Sequence, residues 1–577
     1  MKLSPATITL WGWIMLLAGF AGLACYVMKP EVAGFLYDDG MYLMAAKALA
    51  AGEGYRLSGV VGAPLFYKYP PLYPLILALG WLFNPHFPQN MVWFKCLNIL
   101  FSTLTLGLWG YYFQKIRRFS TGISLLLVAI VATNWRFLEV STELMSEPLW
   151  MLLTVITLIL CHRFHAKNQP LSLFQTGILI GLSVAAFYTR TMALPLMAGV
   201  GLWLWINRQR KQALFYAVGS FTLSLPWLQW SGARKDTTYG VGDFLVRSFQ
   251  ETYFQSFRMD LNHEYTLIEL LSKGASELLG NLSVQFFPLL ERFFLSKPTL
   301  FSESIILALS MLLTLGLGHY AYQQLQKRQY SPEGLYVAFY LVILPFWSFH
   351  SVYPRFIMPL MPLLISFLVS MAPDSPRFKT AVAFALPTLL VGMLGLNALH
   401  LAPYLQKATP NELTVQPQLN LWAEYQQAFQ FIKTHTPAHS RIYIKNMDEN
   451  YFYALHTHRP VFDFFIFLPQ KRLLKACPNP NRICLEQLQQ QNTQATGQVL
   501  NYQGAHYIVD SPVRVLKNQY NNWFPVPSTK QLNPLFSSPA PKRLERVFQT
   551  QAGLISIYQY VPAPNFSQPL LLHEKDQ

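Results

Sequence analysis

Long apolar runs, recurring along the first 400 positions, constrain this chain more than any other feature. A helix needs about 17–25 apolar residues to cross the hydrocarbon core of a bilayer. Runs of that kind lie near 8–28, 90–113, 121–138, 148–162, 173–189, 193–206, 212–230, 300–322, 335–350, 355–371 and 380–402, which predicts about eleven spans. The first is too long for the apolar region of a signal peptide and no small-residue cleavage site follows it, so it reads as a retained span. Only 12% of the residues are charged, about half the share of a soluble domain. A polytopic α-helical membrane protein is the expected class.

Orientation comes from the connections. Basic residues gather in alternate loops: Lys2; Lys115, Arg117 and Arg118; Arg163 and Lys167; Arg208, Arg210 and Lys211; Lys327 and Arg328; Arg377 and Lys379. All fall on one side if the N-terminus is cytoplasmic, as the positive-inside rule requires. An odd number of spans then puts the C-terminal part outside. Some of the +16 net charge is therefore an orientation signal. It calls for membrane lipids and anionic lipid-linked partners, with no need for nucleic acid.

The polar residues that orientation leaves unexplained all face outward: Asp38, Asp39, Lys68, Arg136, Glu139, Glu143, Glu147, Arg190, His350 and Arg355. Ionisable groups beside a bilayer are costly and mark functional sites. Their one-sided accumulation predicts a single outward-facing cavity.

Each group also has a plainer reading. Asp38 and Asp39 precede GMYLMAAKALAAGEG, expected as a short amphipathic helix lying along the membrane; an aspartate there caps the free amides, which accounts for one acid better than for two. In YKYPPLY (67–73), Lys68 can snorkel to headgroups or hold a phosphate. Glu139, Glu143 and Glu147 recur every four residues, a stripe on a continuous helix, but Ser146-Glu147-Pro148 has the form of a helix start that would break it. Arg190 and Arg355 sit at outer turns, against the orientation rule. A headgroup would satisfy one of them; two, with Lys68, suit a phosphate or pyrophosphate.

Together these segments resemble the GT-C superfamily of polytopic glycosyltransferases that use lipid-linked sugars, nearest to its bacterial aminoarabinose transferase and protein O-mannosyltransferase-like branch. DDGMY in the first outer loop, YPPLYP before the second span, SEPLW with TRTMALP beyond it, and YPRFIMPLMP near the last spans carry the likeness over about 400 residues. The resemblance implies a GT-C fold with juxtamembrane helices in the first outer loop. It implies Asp38 as catalytic carboxylate, with Asp39 supporting it, and Arg355 on the donor's lipid phosphate, with Lys68 and Arg190 as further phosphate ligands. Tyr42, Tyr69, Glu143, Glu147, His350 and Tyr353 would line the cavity. The aminoarabinose transferases carry lysine directly before Pro-Pro, whereas Tyr69 stands there in this chain and Lys68 one position earlier. It also implies a bacterial inner membrane.

The chemistry expected is transfer of a hexosyl or pentosyl unit from a polyprenyl-phosphate sugar to a lipid, glycan or protein acceptor at the outer face. The basic groups would stabilise the leaving phosphate and Asp38 would take the acceptor's proton. One base without a covalent intermediate predicts inversion. No Cys/His pattern has metal spacing, so a structural zinc site is not expected; members of the resembled superfamily vary in metal use, which leaves a divalent metal open though not indicated. The chain has no GxxxxGK[ST] loop and no GxGxxG after a strand, which disfavours a soluble nucleotide donor. The alternatives are a flippase of a lipid-linked saccharide, expected to show inverted repeats, and a glycan ligase with a pyrophosphate-linked donor.

Composition changes after about residue 405, dividing the chain into a transmembrane catalytic part (1–404) and a soluble extracytoplasmic α/β domain (405–577). There PQLNLWAEYQQAFQFIKTHT reads as an amphipathic helix, and RIYIKN, AHYIVD and LISIYQYV as strands. This part either packs over the membrane helices or serves as a lid or acceptor-recognition element. Cys477 and Cys484 lie close in sequence, open to a disulfide in an oxidising compartment.

Overall fold

The computed structural model describes residues 4–34, 38–165, 169–233, 330–346, 353–370, 387–399, 421–444, 450–463, 506–510 and most of 544–560, with shorter pieces within 259–279, 314–326 and 401–402. His350, Cys477 and Cys484 lie outside the described residues, as does the side chain of Tyr353.

The helices that place the site are α1 (Pro5–Val27), α2 (Asp38–Ala50), α3 (Leu72–Phe83), α4 (Met91–Tyr111), α5 (Thr121–Ala132), α6 (Trp135–Thr142), α7 (Glu147–His165), α8 (Leu173–Thr189), α9 (Leu194–Ile206), α10 (Arg210–Ala233), α11 (Pro332–Ile343), α12 (Tyr353–Ile357) and α13 (Met361–Val369). Among the described residues, three stretches are long and apolar enough to cross a membrane: Thr7–Val27, Met91–Ile116 and Glu147–His165. The bent pair α5–α6 can make a fourth, and shorter apolar helices include Leu173–Thr189, Thr191–Ile206, Pro332–Phe346, Arg355–Val369 and Pro387–Leu399. The chain is thus an apolar helical bundle, with fewer full-length spans among the described residues than the eleven expected.

Two expectations are corrected. The run 121–138 is not one continuous helix: α5 ends at Ala132 and α6 leaves at 63°. Asn134 causes the break, because its extended backbone and its carbonyl Oδ1, accepting from the amides of Arg136 and Phe137, start a new helix. Nor does α2 lie along a surface with one face wet. Residues 39 to 46 are all buried, because Gly40 and the alanines let neighbours close around it. A Cβ on Gly40 would lie 2.2 Å from Cβ of Tyr451.

The basic connections meet at one end of the bundle. After α4, Arg117 bonds the Tyr320 hydroxyl at 3.3 Å and Ser370 Oγ, and lies 3.6 Å from Glu333 at the start of α11. His162, in the last turn of α7, is 2.7 Å from the same Glu333, and Leu171 N donates to Gln209. The opposite ends of these helices carry Glu143, Glu147, Arg190 and Arg355.

Beyond residue 420, α14 (Leu421–His435) and α15 (Asn450–Thr457) accompany a five-stranded sheet. Its order is 461–463, 442–444, 507–510, 556–560, 544–549, the first three parallel and the last two antiparallel to their neighbours. The loop between α2 and α3 joins its edge: Val61 N donates to the Val461 carbonyl at 3.0 Å and Val461 N to that of Gly59 at 3.1 Å.

Candidate active site

Four chain segments converge. Asp38 opens α2, and Glu147 opens α7 directly after Ser146. Arg190 follows the last turn of α8, its extended backbone ending the helix. Arg355 lies in α12, which Tyr340 holds by donating its hydroxyl to the Phe356 carbonyl at 2.8 Å. Carboxylates at helix starts suit the dipole there; the arginines supply countercharge.

Arg355 bridges the two acids. Its Nη1 donates to Asp38 Oδ2 at 3.0 Å and its Nε to Glu147 Oε1. Arg190 Nη1 lies 3.1 Å from the same Glu147 oxygen and donates to Ser146 Oγ at 3.2 Å, its guanidinium standing 5.3 Å from the Phe356 ring. Tyr42 shares a 3.0 Å hydrogen bond with Ser146 Oγ. Tyr69 donates to the other oxygen of Asp38, Oδ1, at 2.6 Å. Glu147 Oε2 and Arg190 Nε are buried without a hydrogen-bond partner among the described residues, polar capacity left for a further group.

Charge sets the protonation of the acid at the centre. Burial alone would raise the Asp38 carboxyl, but Arg355, Lys68, the Tyr69 hydroxyl and Arg190 outweigh it and hold it below its ordinary value. Burial, with Asp38 beside it, keeps the Tyr69 phenol protonated as a donor. Lys68 sits 5.1 Å over the Tyr69 ring; burial lowers its ammonium and Asp38 opposes that.

The other sequence candidates divide. Asp39 turns away from the arginines, its Oδ2 accepting from Gly34 N at 2.7 Å; burial and Glu143 push it up to about 6. Glu143 pairs with Lys95 at 2.8 Å, and Arg136 with Glu139 at 3.0 Å on the half-exposed side of α6. The stripe of glutamates is broken: Glu143 caps α6 and Glu147 begins α7. Sequence reasoning missed Lys95, fully buried and also donating to the Lys29 carbonyl at 2.8 Å. The signal was there, a lone lysine inside the apolar run MVWFKCLNILF. It likewise missed Ser146 as the hydroxyl shared by Tyr42 and Arg190, and the buried Glu333 at the far end. Among the described residues no group of three or more His, Cys, Asp or Glu is placed to hold a metal ion.

No family model matches the sequence, and no curated protein matches it. The structure does have counterparts. ArnT from Cupriavidus metallidurans bound to undecaprenyl phosphate superposes with a TM-score of 0.51 at 12% identity, over 97% of this chain and 99% of that one. The Archaeoglobus fulgidus oligosaccharyltransferase in complex with Zn and sulfate gives 0.53 at 11% identity, over 96% of this chain and 74% of that one. The same oligosaccharyltransferase tethered to an acceptor peptide gives 0.53 at 10%, over 97% and 75%. Both relatives are GT-C proteins, and the likeness runs through nearly the whole of this chain. The chain has the GT-C fold.

Proposed function

We propose that this chain is a glycosyltransferase that moves a sugar from a polyprenyl-phosphate carrier to an acceptor, with inversion. The observation that carries the reading is the junction of Asp38 with Arg355 at 3.0 Å, completed by Glu147 and Arg190. Asp38 is the general base for the acceptor's hydroxyl or amine. Arg355, Arg190 and Lys68 hold the phosphate and stabilise it as it leaves. Asp39 is a positioning residue, tying the start of α2 to Gly34.

Charge favours a monophosphate carrier. Two carboxylates, Asp38 and Glu147, face three cations, Arg190, Arg355 and Lys68, leaving one positive charge. A sugar phosphodiester carries one negative charge and a pyrophosphate two, so the diester is matched and the pyrophosphate of a glycan ligase is not. Arg355 also explains how the base is armed. While it pairs with Asp38 the carboxylate is a weak base. A donor phosphate drawing on the same guanidinium loosens that pair and raises the proton affinity of Asp38 when substrate is present.

The basic connections at one end and this site at the other support a cytoplasmic N-terminus and a site opening outward, with the part after 404 as an extracytoplasmic domain. The location proposed with this reading is a bacterial inner membrane. The test is chemical: purified protein given a polyprenyl-phosphate sugar and an acceptor extract releases polyprenyl phosphate and labels the acceptor. Movement of intact donor across a vesicle bilayer without its cleavage would replace the transferase reading with a flippase.

A further inference from the structure

A cavity lies away from the acidic and basic site. It has a volume of about 640 Å³ and is lined by Lys47, Trp81, Asn84, Pro85, His86, Phe87, Gln89 and His458. Its polar groups are an ammonium, two imidazoles and two amides; none of these described lining residues is acidic, and Glu53, outside the lining, acts on Lys47. Lys433 and Arg459 add positive potential, acting with Lys47 on His458. The aromatic wall is rigid: the Trp81 ring is stacked on Phe94 at 5.6 Å and on Phe87 at 6.3 Å, and Phe87 meets His456 edge-on at 4.9 Å. A preformed recess with donors, cationic potential and an apolar wall fits a hydroxyl-rich anion.

Two helices link this recess to the candidate active site. Helix α2 begins at Asp38 and reaches Lys47 nine residues later, about 14 Å at 1.5 Å per residue. Helix α3 begins just after Tyr69, the partner of Asp38, and brings Trp81 to the same recess. The two helices therefore run side by side from one site to the other. The far wall, at His458, belongs to the segment after α15. That separation is about the length of two or three sugar units.

We propose that this recess is a subsite for an anionic saccharide, the phosphate- or carboxylate-bearing distal part of the acceptor whose nearer hydroxyl or amine is glycosylated at Asp38. The proposal rests on the transferase reading above for its role. Binding is measured without turnover, so the two readings stand or fall separately. Lys47 supplies the charge, Asn84 and Gln89 bind hydroxyls, and the Trp81–Phe87 wall excludes water from one side.

The test is calorimetric titration of the full-length protein in detergent with maltose 1-phosphate, maltose and inorganic phosphate. Saturable binding of maltose 1-phosphate is expected, about tenfold or more tighter than either of the others. Lys47→Gln weakens it about tenfold while leaving maltose within twofold, and Lys47→Arg retains it; Gln89→Ala, on an exposed side chain, is the second variant should Lys47→Gln lower the melting temperature. Absence of saturable binding overturns the proposal, as does equal binding of inorganic phosphate or indifference to both variants. A repeat in nanodiscs identifies the source of the anion: loss of sugar-phosphate binding in phosphatidylglycerol discs but not in phosphatidylcholine discs makes the occupant a lipid headgroup and also overturns it. Binding with no donor turnover would instead contradict the transferase reading and leave the subsite standing.

Discussion

Asp38 and Arg355 stand 317 positions apart in sequence and meet through a 3.0 Å hydrogen bond. The same guanidinium also reaches Glu147, so one planar fork joins the start of α2, the start of α7 and the short helix α12. Lysine cannot do this, since its ammonium is a point charge without a fixed fork. Arg355→Lys is expected to raise the KM for a polyprenyl-phosphate sugar about tenfold with little change in melting temperature. Arg355→Met takes the guanidinium from Asp38 and leaves Glu147 with Arg190 alone, at a cost of roughly 3–5 kcal/mol of stability. Steady-state kinetics and thermal unfolding in detergent check both.

Tyr69 holds the second oxygen of Asp38 at 2.6 Å. A hydrogen bond to the ionised form favours that form, so Tyr69→Phe moves the Asp38 carboxyl to a higher pKa. The acidic limb of the rate profile shifts to higher pH in the variant, and the plateau rate falls about tenfold or more. An unmoved acidic limb in the pH–rate profile would show that Tyr69 does not act on the base.

Much of the candidate site was legible in the chain because its residues violate local rules. Arginines at outer turns, adjacent aspartates and a Ser-Glu-Pro start each demand a partner that their own segment cannot give. What was not legible is which partner each finds. Asp38 and Asp39 are neighbours on a helix start, yet successive helix positions point about 100° apart, so one faces Arg355 and the other Gly34. Arg117 reads as an orientation charge, but its pairing with Glu333 requires α11 to come alongside α7, a contact no local pattern encodes. Helix lengths misled for a related reason: Asn134 stops an apolar run by capping, not by being charged.

Asp39 gives a stability prediction with a definite sign. Its folded pKa, about 6, lies above the unfolded value of 3.8, so the folded state binds the extra proton between those values. Its contribution is fully present below pH 3.8 and is lost as pH rises through about 6. The melting temperature of wild type minus that of Asp39→Asn should therefore fall between pH 4 and 6, by the equivalent of roughly 1–3 kcal/mol, and stay flat above. A difference that rises over this range would contradict the assignment.

Gly40 tests the seat of the C-terminal part. An added Cβ would stand 2.2 Å from Cβ of Tyr451, and Gly34, at φ +84°, has Phe452 N within 2.9 Å of where its own would be. Gly40→Ala must push α15 away from α2, which is expected to lower the melting temperature by several degrees and speed proteolysis within 421–463. Unchanged proteolysis would mean that the two helices are not seated as described.

The central claim is that Asp38 takes the acceptor's proton while the arginines hold the donor. Its most direct measurement is single-turnover transfer by Asp38→Asn, alongside donor affinity in the same preparation. The account predicts a transfer rate lowered by about 10²–10⁴-fold, the usual contribution of a general base, with donor still bound within a few-fold of wild type. Transfer at the wild-type rate would contradict it.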